Sequence, residues 1–243
     1  MKWIKPIALA LGVTLFGLFA VMANPQLFFA NHVTYGRYQV WSDRPIDAGI
    51  RAVLDDTERR LATSELMSPD QHFRIFLCND NWRLALFSQR FSGGMGGVAD
   101  TWLTQNVYLR EVDIPRNRLI PPSGWTHRMD DRPLSYYMAH ELTHILEARA
   151  FGLLAVAHHQ RWVWEGYADL IGKGGQFDIA ANRAALARGD EAMDWARSGL
   201  YRRFHLEVAY LLQQKHLPLA DLISNPPPAA DIDREILADD GWR

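Results

Sequence analysis

The chain reads His-Glu-Leu-Thr-His at positions 140–144, which is the H-E-x-x-H pattern. On an α-helix, two residues four apart differ by about 40° around the axis and rise by about 6 Å, so the imidazoles of His140 and His144 point the same way. Both can reach one metal ion at the usual zinc–nitrogen distance of about 2.0–2.1 Å. Glu141 then lies beside the ion, where it can take a proton from a metal-bound water. The alternative interpretation is a pair of helix histidines without a ligand role.

The segment around this pattern has the signals of a helix. Pro133 suits the first helical position, and Gly152 lies just past the expected end. The sequence therefore predicts a helix over 133–149 that presents both histidines on one face.

A second group of residues with chemical potential follows at 162–169, which reads Trp-Val-Trp-Glu-Gly-Tyr-Ala-Asp. A catalytic zinc site normally takes three protein ligands and leaves the fourth position for water. Twenty residues separate His144 from Glu165, enough to finish one helix, turn and begin another. Asp169 lies one turn beyond Glu165 on the same face, where it can hold the free N–H of a ligand histidine.

The combination of these two motifs resembles the gluzincins, the thermolysin-like and aminopeptidase N-like zinc peptidases. In that family the third ligand is a Glu about twenty residues after the second His, and an Asp follows four residues later. The resemblance covers roughly residues 133–215. It implies Glu141 as the general base, Asp169 as the partner of a ligand, and a Zn²⁺ ion held by His140, His144 and Glu165.

Other sources of a third ligand fit less well. The metzincin extension requires Gly at 147 and His at 150, where this chain has Glu147 and Ala150. His158 and His159 can supply a ligand from the connecting loop, although a solvated turn role is the preferred expectation for both. For Glu147, one turn beyond His144, the expectation is an ordinary charge on the helix surface.

Residues 200–212 form the next clear helical element. It resembles the helix that begins with a Tyr in aminopeptidase N-like gluzincins, whose hydroxyl donates a hydrogen bond to the oxyanion. The resemblance implies Tyr201 as that donor, although Phe204 stands where the family often has Gly. His205 is the alternative donor, because thermolysin-like enzymes use a His for this task. A packing role remains the other interpretation of either residue.

Composition gives the broad limits. The chain has 243 residues, enough for one sizeable domain or two lobes that share a cleft. Apolar residues make up 48% and charged residues 22%, as in folded globular proteins. A net charge of −2 without a basic stripe gives no indication of nucleic-acid binding. The single Cys78 excludes an intramolecular disulfide and is expected to be buried.

The N-terminal 30 residues read as a targeting or anchoring segment. Lys2 and Lys5 precede an apolar run over 6–23, and Arg37 is the next charge. That length is marginal for a membrane span and exceeds a typical cleaved signal peptide. We predict an uncleaved membrane anchor, with a cleaved signal at 21–23 as the alternative. Either kind of segment would export the rest of the chain to the periplasm or the outside. A buried helix is the third interpretation.

Residues 31–131 are predicted to be the β-bearing lobe. Strands are expected over 35–41 and 71–78 around an amphipathic helix over 46–63. A hairpin is expected over 97–103 and 106–111. In the gluzincins a strand before the zinc helix edges the cleft and pairs with extended substrate. Residues 106–112 are the candidate for that edge strand, and an inner strand is the alternative.

The stretch Ser-Gly-Gly-Met-Gly-Gly at 92–97 is predicted to be a flexible hairpin loop that can line the cleft. The aminopeptidase N-like branch has Gly-x-Met-Glu-Asn upstream of its zinc helix, and here Gly96 and Gly97 replace the last two residues. The Glu that would hold a free amine is missing, which disfavours an aminopeptidase. Residues 113–132 are expected to be a loop.

The predicted fold is therefore α+β and zincin-like: a small mixed-sheet lobe packed on the zinc helix, a C-terminal helical lobe, and an N-terminal membrane-spanning or signal helix. The expected divisions are 1–30, 31–131, 132–224 and an ending over 225–243 that consists of a proline-rich break and an acidic tail. The predicted function is zinc-dependent hydrolysis of a peptide or protein substrate. The alternatives are a membrane-anchored binding protein that is catalytically inactive, and a metal hydrolase of a non-peptide amide or ester.

Overall fold

The computed structural model describes residues 4–89, 95–121 and 132–242. All strands of its five-stranded mixed sheet come from the first half of the chain. The strand order is β1-β2-β3-β5-β4. The two inner pairs, β2–β3 and β3–β5, are parallel, and the two outer pairs are antiparallel. The strands are β1 Asn31–Tyr35, β2 Tyr38–Ser42, β3 Phe73–Leu77, β4 Gly97–Ala99 and β5 Asn106–Leu109.

Both faces of this sheet are covered, as expected for its parallel centre. Ile75 and Val107 belong to the main core, which also contains the central helices. Phe76 and Tyr108, on the opposite face, pack in a smaller cluster with Cys78, which is buried as predicted. The sheet is therefore a layer between two apolar clusters.

The described residues also form ten α-helices, most of them in the second half of the chain. A π-helical turn, Tyr210–Gln214, continues α8. The helices are α1 Ile4–Ala23, α2 Ile50–Leu61, α3 Asn81–Ser88, α4 Leu134–His158, α5 Arg161–Lys173, α6 Ile179–Ala187, α7 Trp195–Ser198, α8 Arg202–Ala209, α9 Leu219–Ser224 and α10 Ala229–Ala238.

Helix α4 runs through the middle of the molecule, and nearly every residue over 134–148 is buried. Its first turn follows Pro133 and is held by the side-chain oxygen of Asn117, which accepts from the N–H of Ser135 at 3.1 Å. Gly152 has φ 79° and ψ 169°, a conformation that favours glycine, so the helix bends there. The helix begins at Leu134, one residue after the predicted start, and Pro133 is its N-cap. The predicted end is a bend, beyond which helical turns continue to His158.

The strand predictions need three corrections. The expected strand over 35–41 is a hairpin of β1 and β2, because the chain turns at 36–37. The expected edge strand over 106–112 lies inside the sheet as β5, since β4 pairs along its other side. Part of the expected loop over 113–132 is a ribbon of β6 Val112–Asp113 and β7 Arg118–Leu119. Residues 122–131 of that loop, and 92–94 of the glycine stretch, lie outside the described residues.

The α+β class and the mixed sheet are confirmed. The acidic tail forms α10. In the part of the chain that the structure describes, no helix combines the length and the apolar character needed to cross a membrane.

Candidate active site

The structure brings the three predicted ligands together. His140 and His144 come from α4 and Glu165 comes from α5, and their donor atoms all lie within 4.8 Å of one another. Both histidines turn Nε2 toward Oε2 of Glu165, at 3.2 Å for His140 and 3.6 Å for His144. Two imidazole nitrogens and one carboxylate oxygen are a donor set that catalytic zinc sites in general use, with a fourth position left for water.

Electrostatics favour a positive charge at this cluster. Burial alone would raise the pKa of Glu165, yet hydrogen bonds from His140 and His144 hold it well below its ordinary value. Burial opposes a charge on His144, but hydrogen bonds to Glu147 and Glu165 raise its pKa well above the ordinary value. The imidazole of His144 and the carboxylate of Glu165 thus both favour positive charge at this position, which a divalent cation bound to the same atoms would also supply.

Glu141 lies beside the cluster, with only 8% of its surface exposed. Burial raises the pKa of its carboxyl, while the neighbouring histidines and the backbone N–H of Ala99 act in the opposite direction. A buried carboxylate with a raised pKa is a candidate general base. Its position next to the ligand histidines agrees with the predicted role.

The edge strand β4 passes directly over Glu141. A Cβ atom built on Gly97 would lie 2.9 Å from Cγ of Glu141 and 3.1 Å from its Oε1, so only glycine fits there. At Gly96 an added Cβ would lie 2.6 Å from the ring of Tyr137. The two glycines that replace the Glu and Asn of the aminopeptidase motif therefore let the strand pack closely on α4.

Tyr201, at the N-terminus of α8, also faces the cluster. Its ring stacks on the ring of His140 with centroids 5.4 Å apart and planes 9° from parallel. Burial, the charges of Glu165 and Glu141, and a hydrogen bond to Glu165 raise the pKa of its phenol. The hydroxyl therefore stays protonated and can donate a hydrogen bond at the site.

His205 has a different environment, although it lies one turn from Tyr201. Its ring is 2% exposed and stacks on Phe177, and its Nδ1 lies 2.9 Å from Oδ2 of Asp169. The structure places it between α5 and α8, away from the ligand group. Of the two predicted oxyanion donors, only Tyr201 contacts one of the predicted ligands, His140.

The hydrogen-bond partner predicted for Asp169 is wrong. We expected Asp169 to hold a ligand histidine, but it accepts hydrogen bonds from His205 and from the hydroxyl of Tyr136. Burial would raise the pKa of Asp169, and these partners with Lys173 lower it to about 2. The cause is the close packing of α8 on α5, which brings His205 next to Asp169.

The close approach of these two helices depends on Gly166, the residue after the third ligand. A Cβ atom there would run into the backbone carbonyl of Phe204 and lie 2.7 Å from a methyl of Val208. In the Glu-Gly pair at 165–166, the first residue is a predicted ligand and the second lets α8 pack closely against α5.

The expectation for Glu147 as a surface charge is also wrong. Its side chain is fully buried, and Oε2 lies 2.8 Å from Nδ1 of His144. Burial raises the pKa of this carboxyl to about 7, although His144 acts in the opposite direction. The sequence holds one indication of this burial: Glu147 lies one helical turn after His144 and directly follows the apolar residues 145–146.

The alternative third ligands are excluded by their positions. His158 is exposed at the end of α4, and His159 packs on Trp164 with its Nδ1 at the carbonyl of Val156. Neither belongs to the ligand group. No protein-family model matches the chain, and no curated protein matches it significantly.

Proposed function

We propose that this protein is a zinc-dependent peptidase with a zincin-like fold. The observation that carries the proposal is the convergence of His140, His144 and Glu165, with Glu141 buried beside them. This donor set holds a metal and leaves room for water, and the adjacent carboxylate supplies the base. The mixed sheet packed against α4 supports the same fold.

When bound, zinc polarises a carbonyl and lowers the pKa of water to about 7. Glu141 takes the proton of the attacking water and passes it to the departing amine. The hydroxyl of Tyr201 donates to the oxyanion that develops on the substrate carbonyl, a contact that strengthens as charge builds up. The hydrogen bond between Asp169 and His205 joins α5 to α8, so it holds Glu165 and Tyr201 at a fixed distance from each other.

The substrate in this proposal is an extended peptide that pairs with the outer edge of β4. That strand pairs with β5 along one side only among the described strands, and it crosses Glu141 at Gly97. Main-chain pairing along a sheet edge gives affinity without demanding a particular side chain. No carboxylate stands at 96 or 97 to hold a free amine, which favours cleavage within a chain over removal of an N-terminal residue.

The N-terminal segment supports export in this proposal. Its apolar run over 6–23 follows Lys2 and Lys5, and the described part of α1 exposes large apolar side chains such as Phe16. We propose that this segment anchors the protein in the membrane or directs its secretion. The catalytic residues then lie in the periplasm or outside.

The test is cleavage of a mixture of unstructured peptides by the zinc-loaded full-length chain, read by mass spectrometry. We expect cleavage that a chelator abolishes and zinc restores. Glu141→Gln should bind zinc normally and lose at least about 100-fold in rate, because it removes the base. Glu111→Gln is the matched control, since Glu111 is a partly exposed carboxylate that pairs with Arg44 and does not belong to the ligand cluster. Full activity of Glu141→Gln would refute the mechanism.

A further inference from the structure

Glu147 is a buried carboxylate that the proposed reaction does not use. It lies on α4 one turn after His144, and no part of its side chain is exposed to solvent. One oxygen, Oε2, lies 2.8 Å from Nδ1 of His144. The other oxygen, Oε1, has no hydrogen-bond partner among the described residues.

The hydrogen bond decides which nitrogen of His144 carries a proton. A carboxylate is an acceptor, so Nδ1 is the protonated nitrogen. When an ion displaces any proton on the other nitrogen, the lone pair of the ring is on Nε2, which faces Glu165. His140 differs, because its Nδ1 is buried without a hydrogen-bond partner among the described residues. The two ligand histidines are therefore supported unequally.

A buried carboxylate with one hydrogen bond costs folding free energy, which an apolar side chain would not. Among the charged groups of the site, the partner of Glu147 is an imidazole whose far nitrogen faces the ligand cluster. A divalent cation at that cluster would place positive charge one ring away from the carboxylate. Such a charge offsets the free-energy cost of burying the Glu147 carboxylate, which a neutral imidazole alone does not.

We propose that Glu147 is a positioning residue for the metal ion. Its carboxylate holds the Nδ1–H of His144, fixes the ring with Nε2 toward the ion and strengthens that nitrogen as a donor. The inference rests on the metal site proposed above and adds that metal affinity depends on a residue that does not touch the ion.

The experiment measures Co²⁺ affinity of the full-length chain by competition with a chelator, together with the visible spectrum of the Co²⁺ form. We expect Glu147→Ala to weaken binding about 10- to 100-fold and to change the spectrum. Glu147→Gln keeps an acceptor without the charge and should lie between Glu147→Ala and wild type. Glu207→Gln, which alters a buried carboxylate that pairs with Arg203 on α8, should bind as wild type does.

The outcomes separate the two proposals. If wild type binds Co²⁺ and both Glu147 variants match it within twofold, with the same spectrum, the positioning role is refuted and the metal site stands. If wild type binds no ion, the metal site fails and this inference fails with it. A purely structural role for Glu147 would lower the melting temperature without changing the spectrum. Should Glu147→Ala fail to fold, Glu147→Gln alone decides.

Discussion

Glu147 with His144 and Asp169 with His205 are two buried carboxylate–histidine pairs with nearly equal distances, 2.8 and 2.9 Å. The first pair lies within α4, and the far nitrogen of its imidazole faces Glu165. The second pair joins α5 to α8, and its imidazole lies against the ring of Phe177. The same chemical contact therefore holds a proposed metal ligand in one region and joins two helices in the other. The role of each pair depends on what surrounds its imidazole: Glu165 for His144, and the ring of Phe177 for His205.

The largest expected effect comes from breaking the second pair. Asp169→Ala leaves His205 and the hydroxyl of Tyr136 without their acceptor, and loss of one partner of a buried pair costs about 3–5 kcal/mol. We expect the melting temperature to fall by about 10 °C, measured by circular dichroism of the metal-free protein. Glu147→Ala should cost less stability, because it removes a buried charge with a single hydrogen bond. The reverse order would contradict the comparison.

The next effect separates the two candidate donors on α8. Tyr201→Phe removes a hydroxyl at the ligand cluster and should lower kcat by about 10²–10³-fold with zinc content unchanged. His205→Gln removes the imidazole that pairs with Asp169, so we expect it to lower the melting temperature more than Tyr201→Phe does. Steady-state kinetics and thermal unfolding of both variants check this. A catalytic loss confined to His205→Gln would reverse the assignment.

The smallest effect concerns a third buried carboxylate, Glu207, whose partner is Arg203 instead of a histidine. Burial and the nearby charge of Asp233 raise its pKa from 4.5 to about 8. Between those values the native state holds a proton that the unfolded state has lost. The contribution of this carboxyl to stability is therefore complete below about pH 4.5 and is lost as the pH rises through about 8.

Glu207→Gln imitates the protonated acid and should remove this dependence. We expect it to raise the melting temperature relative to wild type by several degrees more at pH 8.5 than at pH 5. Thermal unfolding at the two pH values measures the difference. An equal effect at both would show that Glu207 does not hold its proton in the native state.

The two histidines, His140 and His144, are predictable because their arrangement depends on local geometry: they are four residues apart on one helix, so the helical repeat brings them together. Glu165 is implied by the resemblance to the gluzincins, and the twenty residues between it and His144 are enough for the chain to turn back. The partner of Asp169 was not predictable in this way, because it depends on how closely α8 approaches α5 at Gly166. The burial of Glu147 likewise depends on the elements that cover α4.

The sheet shows the same limit. Each of the segments β3, β4 and β5 was recognised from its own residues, but their order was not. The chain adds β4 outside β5, so the last strand of the five-stranded sheet in sequence becomes an inner strand. Pairing between distant segments decides this order, and the apolar run in β5 is consistent with burial on both faces.

The most direct test of the central claim is the zinc content of the purified full-length chain, measured by mass spectrometry beside His144→Ala and Glu165→Ala. The account predicts about one zinc per wild-type chain and almost none in either variant, because each loses one of three ligands. A wild-type chain without zinc, after purification free of chelators and with zinc resupplied, would contradict it. Equal zinc in all three proteins would contradict it as well.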